Sequence, residues 1–237
     1  EYLVSMGASP DKVQIFINTV DTEFFTEATR RIRQHLTPIH DKKRLLYVGE
    51  LSSRKNVINL LKIMQVLSRT RSDFVLDIVG DGEDGVLLKK YVHENRLTDF
   101  VEFHGYKQKP EIPFFMAGAH CFVFPTHFDI WGLVLNEAMV AGLPCLASVH
   151  AGATHDLIED GVTGFAMDFS QTEKVAEKIG WLLENPNDAK QIGQNASRFI
   201  AEHASLEKSV SGFVKSIITS MRLKCISSVF SYFPCLY

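Results

Sequence analysis

The chain has 237 residues, of which 46% are hydrophobic, enough to build one large domain or two small ones around a substantial core. Its formal charge of −3 argues against a nucleic-acid-binding protein, which usually carries a basic patch, and no apolar run approaches the roughly 18 residues of a membrane-spanning helix. The four cysteines show no metal-ligand spacing, and Cys121 and Cys145 lie inside apolar runs. We therefore expect buried free thiols, a reducing compartment and a cytoplasmic location.

The first 42 residues precede the regular part of the chain. Their pattern predicts the tail of a helix over 1–6, a short strand over 12–18 and an Arg-rich polar helix over 23–36. The sequence opens in the middle of a pattern, without an initiator methionine. We therefore interpret 1–42 as the remnant of a preceding N-terminal domain together with the linker that leaves it.

From residue 43 onward, short apolar segments rich in strand-forming residues alternate with segments of helical periodicity. The predicted strands cover 44–49, 74–79, 100–103, 119–125, 144–148 and 164–167. The predicted helices cover 57–67, 86–95, 112–117, a segment that opens near Gly132, 173–184, 189–203 and 206–221. This alternation predicts an α/β fold, a Rossmann-like doubly wound parallel sheet with helices on both faces, over 43–204. A C-terminal helix and an aromatic-rich tail follow over 205–237.

Ligands of doubly wound sheets bind beside the carboxyl ends of the strands. Small or turn-forming residues mark those ends at Gly49, Gly80, Gly105, Pro125 and Ser148. Because parallel strands end on the same side, we expect the loops that follow these residues to share one rim of the sheet.

A glycine pattern after the second strand, Gly80-x-Gly82-x-x-Gly85, matches the dinucleotide-binding fingerprint. Three acidic side chains in the same turn would lie beside a pyrophosphate, and the tip of the next strand lacks the acid that a ribose would need. A tight turn explains the glycines more simply. We therefore do not expect a nicotinamide or flavin cofactor.

The loop after the first strand, 49–56, combines a glycine with two adjacent cations. Gly49 lets the backbone turn close to a ligand, and Arg54 and Lys55 carry the charge to neutralise a diphosphate. A solvated basic pair before a helix would have the same sequence. The functional interpretation gains support because the helix that opens near Gly132 lies on the same rim.

The segment 124–144 passes from a buried strand through a loop into that helix. Unpaired backbone N–H groups and the positive end of the helix dipole suit a phosphate at its opening. Asp129 precedes the opening, and Glu137 lies about a turn and a half inside it, next to the apolar face, where an unpaired carboxylate is costly. A bound diphosphate would have a carboxylate on each side to accept hydrogen bonds from sugar hydroxyls. This arrangement outlines a nucleotide-sugar site.

The sequence lacks the patterns of several other catalytic sites. It contains no Ser-His-Asp, Cys-His or H-E-x-x-H arrangement. Several histidines stand near strand ends without ligand spacing, namely His104, His120, His127, His150 and His155. We therefore expect no metal site.

Taken in order, five motifs resemble those of the C-terminal, donor-binding domain of GT-B retaining glycosyltransferases of group 1, also called glycosyltransferase family four. Residues 13–25 are similar to the family's linker, which usually ends in N-G-V-D-x-x-x-F, and 49–56 resemble its G-R-L-x-x-x-K-G loop. The patterns I-x-G-x-G, V-x-F-x-G and P-S-x-x-E-x-F-G-L-x-x-x-E-A-M-A-x-G-x-P are matched by 78–82, 101–105 and 125–144. The resemblance covers nearly the whole chain up to about residue 220.

The resemblance implies that a hexosyl group is transferred, with retained anomeric configuration, from a nucleotide-diphosphate sugar to a glycan or lipid-linked acceptor. By position, Lys55 and Arg54 would bind the diphosphate beside Gly49, Asp129 would contact the donor sugar's hydroxyls, and Glu137 would hold the ribose. The backbone amides that would bind sugar and phosphates belong to Trp131, Gly132 and Leu133. The acceptor site would lie in the preceding N-terminal domain, so this chain alone would bind the donor and transfer poorly or not at all.

No metal or other cofactor is implied, because basic side chains and a helix terminus would stabilise the charge of the leaving group. By family analogy we expect UDP before GDP, and a cell-surface polysaccharide or glycolipid pathway. The aromatic-rich end, 225–237, could pack against the preceding domain, be disordered, or make a peripheral contact with the cytoplasmic face of a membrane.

Four positions depart from the family pattern. Asp129 is one methylene shorter than the usual Glu, and Glu50 replaces the common Arg, placing a negative charge near a diphosphate that Arg54 would offset. Trp131 replaces Phe, and Asp156 stands where Glu is common. These departures leave open a non-catalytic partner subunit of the same fold. A nucleotide-sugar epimerase, or a phosphorylase of the same architecture, is a further alternative that lacks its own sequence signal here.

Overall fold

The computed structural model describes residues 2–10, 13, 17–35 and 42–228, the last ten by their backbone alone. The strands are β1 (Lys43–Val48), β2 (Phe74–Val79), β3 (Val101–Gly105), β4 (Cys121–Phe124), β5 (Cys145–Ser148) and β6 (Phe165–Met167). The helices are α1 (Tyr2–Ser5), α2 (Thr22–His35), α3 (Val57–Leu67), α4 (Gly85–Glu94), α5 (Ile112–Gly118), α6 (Leu133–Val140), α7 (Gly152–Leu157), α8 (Thr172–Glu184), α9 (Pro186–His203) and α10 (Leu206–Ser228). Short 3-10 helices precede α3 and α5, at Ser53–Lys55 and Lys109–Glu111.

The six strands form one parallel sheet in the order β3-β2-β1-β4-β5-β6. The chain builds outward from β1 to β3, then returns to the middle and builds outward from β4 to β6. The direction therefore reverses between β1 and β4, the topological switch point at which doubly wound sheets bind ligands. The predicted α/β doubly wound fold is confirmed.

Helices cover both faces of the sheet, because alternate residues of each strand point to opposite sides. In β1, Leu45 and Tyr47 pack with α3, α4 and α8, whereas Leu46 packs with α2, α5, α6 and α7, and α9 contributes to both cores. All three side chains are fully buried. Burial on both sides explains why the strands are almost continuously apolar in sequence.

Most predicted element bounds agree closely with the structure. The helix 57–67 and the strand 74–79 have the predicted bounds, whereas the predicted strand 100–103 is observed at Val101–Gly105. The C-terminal helix continues to Ser228 instead of ending at residue 221, because no glycine or proline follows there to stop it. The predicted strand over 12–18 falls largely outside the described residues, as does the end of the tail.

Residues 17–21 have no regular structure, yet they are tied to distant parts of the domain. The Thr19 hydroxyl donates to the carbonyl of Ala204 at the end of α9, and the Ser209 hydroxyl in α10 donates to the carbonyl of Ile17. A buried amide in α6 also bonds to this segment, as described below. The segment that precedes α2 is therefore bound to α6, α9 and α10.

Cys121 and Cys145 are buried and free, as predicted, and burial raises the pKa of both thiols. Of the four cysteines, only these two have described side chains. Within the described part of the chain, none of the helices combines the length and the apolar character needed to cross a membrane.

Candidate functional site

Two loops meet at the switch point, 49–56 after β1 and 125–132 after β4, because the strands that carry them are paired. The backbone N–H of His127 donates to the carbonyl of Arg54 over 2.9 Å, and the Thr126 hydroxyl donates to the same carbonyl over 3.0 Å. The Asn56 side-chain amide donates to the carbonyl of Pro125 over 2.9 Å. These bonds make the two loops a single unit at the rim.

The helix α6 opens at Gly132, whose φ of +97° lies in the left-handed region that favours glycine. A Cβ at this position would lie 2.5 Å from Cζ of Phe124, so no other residue fits without displacing the ring. Among the described residues, the backbone amides of Gly132, Leu133 and Val134 have no hydrogen-bond acceptor. The glycine therefore leaves the amides of the first helical turn available to an anion.

The two cations of the first loop both face Asp129. Lys55 Nζ forms an ion pair with Asp129 Oδ2, and the two side chains are only 13% and 12% exposed. Arg54 Nη1 lies 3.6 Å from the same oxygen and 3.3 Å from the carbonyl of Phe128, to which it donates. The nearly buried Lys55–Asp129 pair and the half-exposed Arg54 together form a charged cluster at the switch point.

Asp129 is also fixed by the neighbouring loops. Its Oδ1 accepts a hydrogen bond from the Trp131 amide over 3.3 Å, and its carbonyl accepts one from Gly152 at the start of α7 over 3.0 Å. A Cβ on Gly152 would lie 2.1 Å from the carbonyl oxygen of Ile130. The loop after β5 thus packs against the loop after β4 and fixes the backbone of Asp129, while the Trp131 amide fixes its carboxylate.

The Trp131 side chain anchors the loop to α6 by a hydrogen bond. Its indole Nε1 donates to Oδ1 of Asn136 over 2.9 Å, and Nδ2 of Asn136 donates to the carbonyl of Asn18 over 3.0 Å. Asn136 is fully buried. A chain of two hydrogen bonds therefore connects the loop before α6 to the segment that precedes α2. Because the Trp131 amide is bonded to Asp129, it is not among the free amides at the opening of α6.

Glu137 lies in α6, half-buried, and no hydrogen bond or ion pair joins its carboxylate to another described residue. Burial raises its pKa from 4.5 to about 7, and the charge of Lys109 opposes that rise. Glu137 also makes no described contact with the cluster around Asp129. It is a half-buried carboxylate without a hydrogen-bond donor among the described residues, a cost that a ligand with donor groups would reduce.

The glycines after β2 have a packing function. A Cβ on Gly80, where φ is +146°, would lie 1.8 Å from the carbonyl oxygen of Gly49, and one on Gly82 would lie 2.4 Å from that of Leu51. Leu51 also exchanges backbone hydrogen bonds with this turn, donating to Asp81 and accepting from Asp84, each over 2.9 Å. The fingerprint-like glycines therefore let the β2 turn support the loop that begins at Gly49.

A second polar cluster lies across β1, β2 and β3, and the sequence pattern did not reveal it. A ring nitrogen of His104 lies 2.6 Å from the buried carboxylate of Asp77, while the Arg44 guanidinium bonds both Asp77 and Glu102. Pairing of parallel strands places Asp77 beside Glu102, a relation that the spacing along the chain cannot show. These acids and His104 have the types and proximity of metal ligands, but Arg44 already supplies a cation between the carboxylates. The absence of a metal stays a prediction.

The predicted site residues lie at four places in the structure. Arg54, Lys55 and Asp129 are in direct contact, and Trp131, Gly132 and Leu133 follow Asp129 at the opening of α6. Gly49 lies at the end of β1, where its amide bonds to Val79 and its carbonyl abuts Gly80. Glu137 stands apart, inside α6. Sequence reasoning missed the buried Asn136, for which the only signal was a polar residue within an apolar helical stretch.

Comparison with known proteins identifies a family to which the chain is similar. The family model described as "Glycosyl transferases group 1" matches residues 28–199. The alpha-D-kanosaminyltransferase of Streptomyces kanamyceticus is 28% identical over 181 residues, covering 76% of this chain and 47% of that protein. The poly(glycerol-phosphate) alpha-glucosyltransferase of Bacillus subtilis is 25% identical over 189 residues, covering 78% of this chain and 28% of that protein. The chain thus spans about half the length, or less, of these curated relatives.

Solved structures share the fold. The Anabaena protein HepE, in complex with UDP and glucose, aligns with a TM-score of 0.74 at 20% identity, covering 90% of this chain and 59% of that chain. The C-terminal domain of the group 1 glycosyl transferase LpcC from Francisella tularensis aligns with a TM-score of 0.69 at 21% identity, covering 79% of this chain and 99% of that domain. At these identities the likeness establishes the shared fold.

Proposed function

The chain belongs to the group 1 glycosyl transferases, and we propose that it is the half of such an enzyme that binds the nucleotide-sugar donor. Joined to an N-terminal domain that carries the acceptor site, it transfers a hexosyl group with retained configuration to a glycan or lipid-linked acceptor. The donor is a UDP-sugar, and no metal or other cofactor takes part.

The observation that carries this proposal is the cluster of Arg54, Lys55 and Asp129 beside the open amides of α6 at the switch point. A diphosphate at this position would meet the positive end of a helix and two cations, for which it would compete with the carboxylates that now pair with them. When the bond between the sugar and the diphosphate breaks, negative charge grows on the leaving phosphate. We propose that Arg54, Lys55 and the amides stabilise this charge.

The unpartnered carboxylate of Glu137 supports binding of the nucleoside. A ribose offers two hydroxyl donors, which would compensate the carboxylate for the water it has lost. Hydrogen bonds to the ionised form would also lower its raised pKa. The donor would therefore relieve a cost that the unliganded protein carries.

The assignment of UDP rests on similar proteins. HepE has been solved with UDP and glucose, and TarM of S. aureus with UDP and an alpha-GlcNAc-glycerol, while the Bacillus subtilis relative is named as an alpha-glucosyltransferase of poly(glycerol-phosphate). Names of this kind also support a polysaccharide or glycolipid pathway for this chain.

Calorimetric titration of the chain with UDP, GDP, ADP and a nicotinamide dinucleotide tests the proposal. We expect saturable binding of UDP, weakened on the order of 1.5–3 kcal/mol by Glu137→Ala, because a charged hydrogen bond is lost. Tighter binding of GDP or ADP would replace UDP as the nucleotide. Failure of all three diphosphates to bind, or preference for the nicotinamide dinucleotide, would contradict the proposal.

A non-catalytic partner subunit is the second candidate, favoured by the acid at position 50 and the shortened acid at position 129. Transfer by the complete protein separates the two candidates. We expect Asp129→Asn to abolish most of the turnover while nucleotide binding persists. If the wild-type protein binds the nucleotide, yet neither it nor the variant transfers sugar, the second candidate is correct.

For its location we propose the cytoplasm, with peripheral contact at the membrane face where a lipid-linked acceptor would lie. Apolar residues stay exposed on α10 at Leu206, Val210, Ile217 and Ile218, on a helix that also carries lysines. Co-sedimentation with vesicles containing anionic lipid tests the contact, and equal recovery with and without vesicles would remove it.

A further inference from the structure

The cations at the switch point are already neutralised by acids of the same site. Lys55 pairs with Asp129, while Arg54 lies 3.6 Å from Oδ2 of Asp129 and 3.6 Å from Oε2 of Glu50. Two positive charges thus face two negative ones, and the cluster is neutral as a whole. A diphosphate that enters this cluster must compete with carboxylates for both cations.

The two acids are held very differently. Asp129 is nearly buried and bonded by the backbone of Trp131, whereas the Glu50 side chain is 58% exposed. Within the described part of the chain, its carboxylate forms an ion pair only with Arg54 and a hydrogen bond only with the Ser52 hydroxyl, which donates to it over 3.2 Å. The loop itself is fixed through the Glu50 carbonyl, which accepts a hydrogen bond from Tyr47 over 2.8 Å. The Glu50 carboxylate is therefore dispensable for the shape of the loop.

Arg54 does not depend on Glu50 for its position. Its guanidinium also donates to the carbonyl of Phe128 over 3.3 Å and lies beside Asp129. An exposed ion pair such as Arg54–Glu50 contributes little to stability. Neutralising Glu50 should consequently leave Arg54 in place, with one carboxylate fewer competing for it.

We propose that Glu50 is a counter-charge that weakens the binding of nucleoside diphosphates by competing for Arg54 and by repelling the phosphates. The inference rests on the proposed function. A carboxylate next to the cation that must hold the diphosphate acts equally on the donor and on the nucleoside diphosphate that remains after transfer. Its consequence is looser donor binding together with faster release of the product.

Titration of wild-type, Glu50→Gln and Glu83→Gln chains with UDP, GDP, ADP and uridine tests the inference. Gln keeps the size of the side chain and an oxygen that can accept from Ser52, so only the charge changes. Glu83 is an exposed acid in the neighbouring β2 turn, has no described contact with Arg54, and serves as the matched control for a change in net charge.

We expect Glu50→Gln to bind the preferred diphosphate about three- to tenfold more tightly at an ionic strength of about 0.05 M, because a like charge several ångströms away is removed. The gain should shrink at about 0.5 M, where exposed charges are screened. Uridine affinity should not change. Glu83→Gln should bind the diphosphate as the wild-type chain does.

Three results would overturn the inference while leaving the proposed function in place. The first is unchanged diphosphate affinity in Glu50→Gln. The second is weaker affinity in that variant, which would make Glu50 a positioning residue for Arg54. The third is an equal gain of affinity in Glu83→Gln. If neither the wild-type chain nor Glu50→Gln binds any diphosphate, the proposed function itself is contradicted, and the inference is contradicted with it.

Discussion

Two turns on the same rim of the sheet are similar in sequence but differ in the groups that they contact. The turn after β2 and the turn after β4 each contain a glycine with positive φ, Gly80 or Gly132, and each leads into a helix. At Gly80 the missing side chain makes room for the backbone of the loop at Gly49. At Gly132 it makes room for the ring of Phe124, and the amides that follow stay open.

The charges of the two turns differ as well. The β2 turn carries three acids and no cation, whereas Asp129 in the β4 turn meets Lys55 and Arg54 from the loop after β1. Both turns adjoin the β1 loop, but only the β4 turn does so at the switch point, where the order of the strands reverses. A glycine with positive φ therefore indicates a close approach, to the Gly49 backbone at Gly80 and to the Phe124 ring at Gly132, and does not by itself identify a ligand site.

Gly80→Ala should disturb the close approach of the β2 turn to the β1 loop. A Cβ would collide with the carbonyl of Gly49, so we expect the free energy of unfolding to fall by about 3 kcal/mol or more. Gly105→Ala is the control, because φ is +67° there and no atom lies within 4 Å, which leaves a strain of about 1 kcal/mol. Urea denaturation measures both. Equal losses would show that the contact with Gly49 contributes nothing.

Lys55→Ala tests the phosphate role of the cation that pairs with Asp129 in the β4 turn. We expect diphosphate affinity to fall by about 2–3 kcal/mol, because a charge-assisted interaction is lost, while uridine affinity stays the same. Calorimetry with both ligands provides the measurement, and Lys107→Ala, at the tip of the β3 turn, is the control. Equal losses for diphosphate and uridine would argue against a phosphate role for Lys55.

Glu137→Gln tests the helix that follows the β4 turn through its pH dependence. The pKa of Glu137 is raised from 4.5 to about 7, so the folded protein binds this proton more tightly than the unfolded chain does. The contribution of Glu137 to the stability of the wild-type chain should therefore fall as the pH rises from 4.5 to 7, and the Gln variant lacks this contribution. The free energy of unfolding of the variant, minus that of the wild-type chain, should be about 1–3 kcal/mol larger at pH 8 than at pH 5.

Urea denaturation at the two pH values provides the measurement for Glu137. Glu202→Gln, on the exposed face of α9, is the matched control and should show no such pH dependence. A stability difference between Glu137→Gln and wild type that does not vary with pH would contradict the raised pKa.

Trp131→Phe should have the smallest effect and probes how the β4 turn is anchored. The substitution keeps an aromatic ring but removes the donor to Asn136, so we expect a loss of about 1 kcal/mol of stability. Asn136 would keep its bond to Asn18. A loss above about 3 kcal/mol would show that the indole is needed for packing more than for its hydrogen bond.

Much of the fold could be predicted because its signals are local. The apolar segments and the turn residues between them define the strands and helices, and burial on both faces makes the strands easy to recognise. The C-terminal helix was predicted to end at residue 221 but continues to Ser228, because helical periodicity alone does not fix an end that lacks a stop signal.

The site could be predicted only in part. An ordered set of motifs selected Lys55, Asp129 and Glu137, and the roles of these residues stay predictions. The sequence could not show that Lys55 pairs with Asp129, nor that His104 joins Asp77, because these contacts depend on which strands are neighbours. Contacts of this kind come from the topology of the sheet, which the chain order alone does not reveal.

Shortening this protein from its N-terminal side would remove the hydrogen bonds that the segment 17–21 makes with α6, α9 and α10. A chain cut to begin at residue 43, the first residue of the sheet, would lose Asn18 and Thr19. The buried amide of Asn136 and the carbonyl of Ala204 would each lose a hydrogen-bond partner. The same cut would remove α2 and its fully buried Phe25. We therefore expect a chain that begins at residue 43 to have a lower free energy of unfolding than the whole chain.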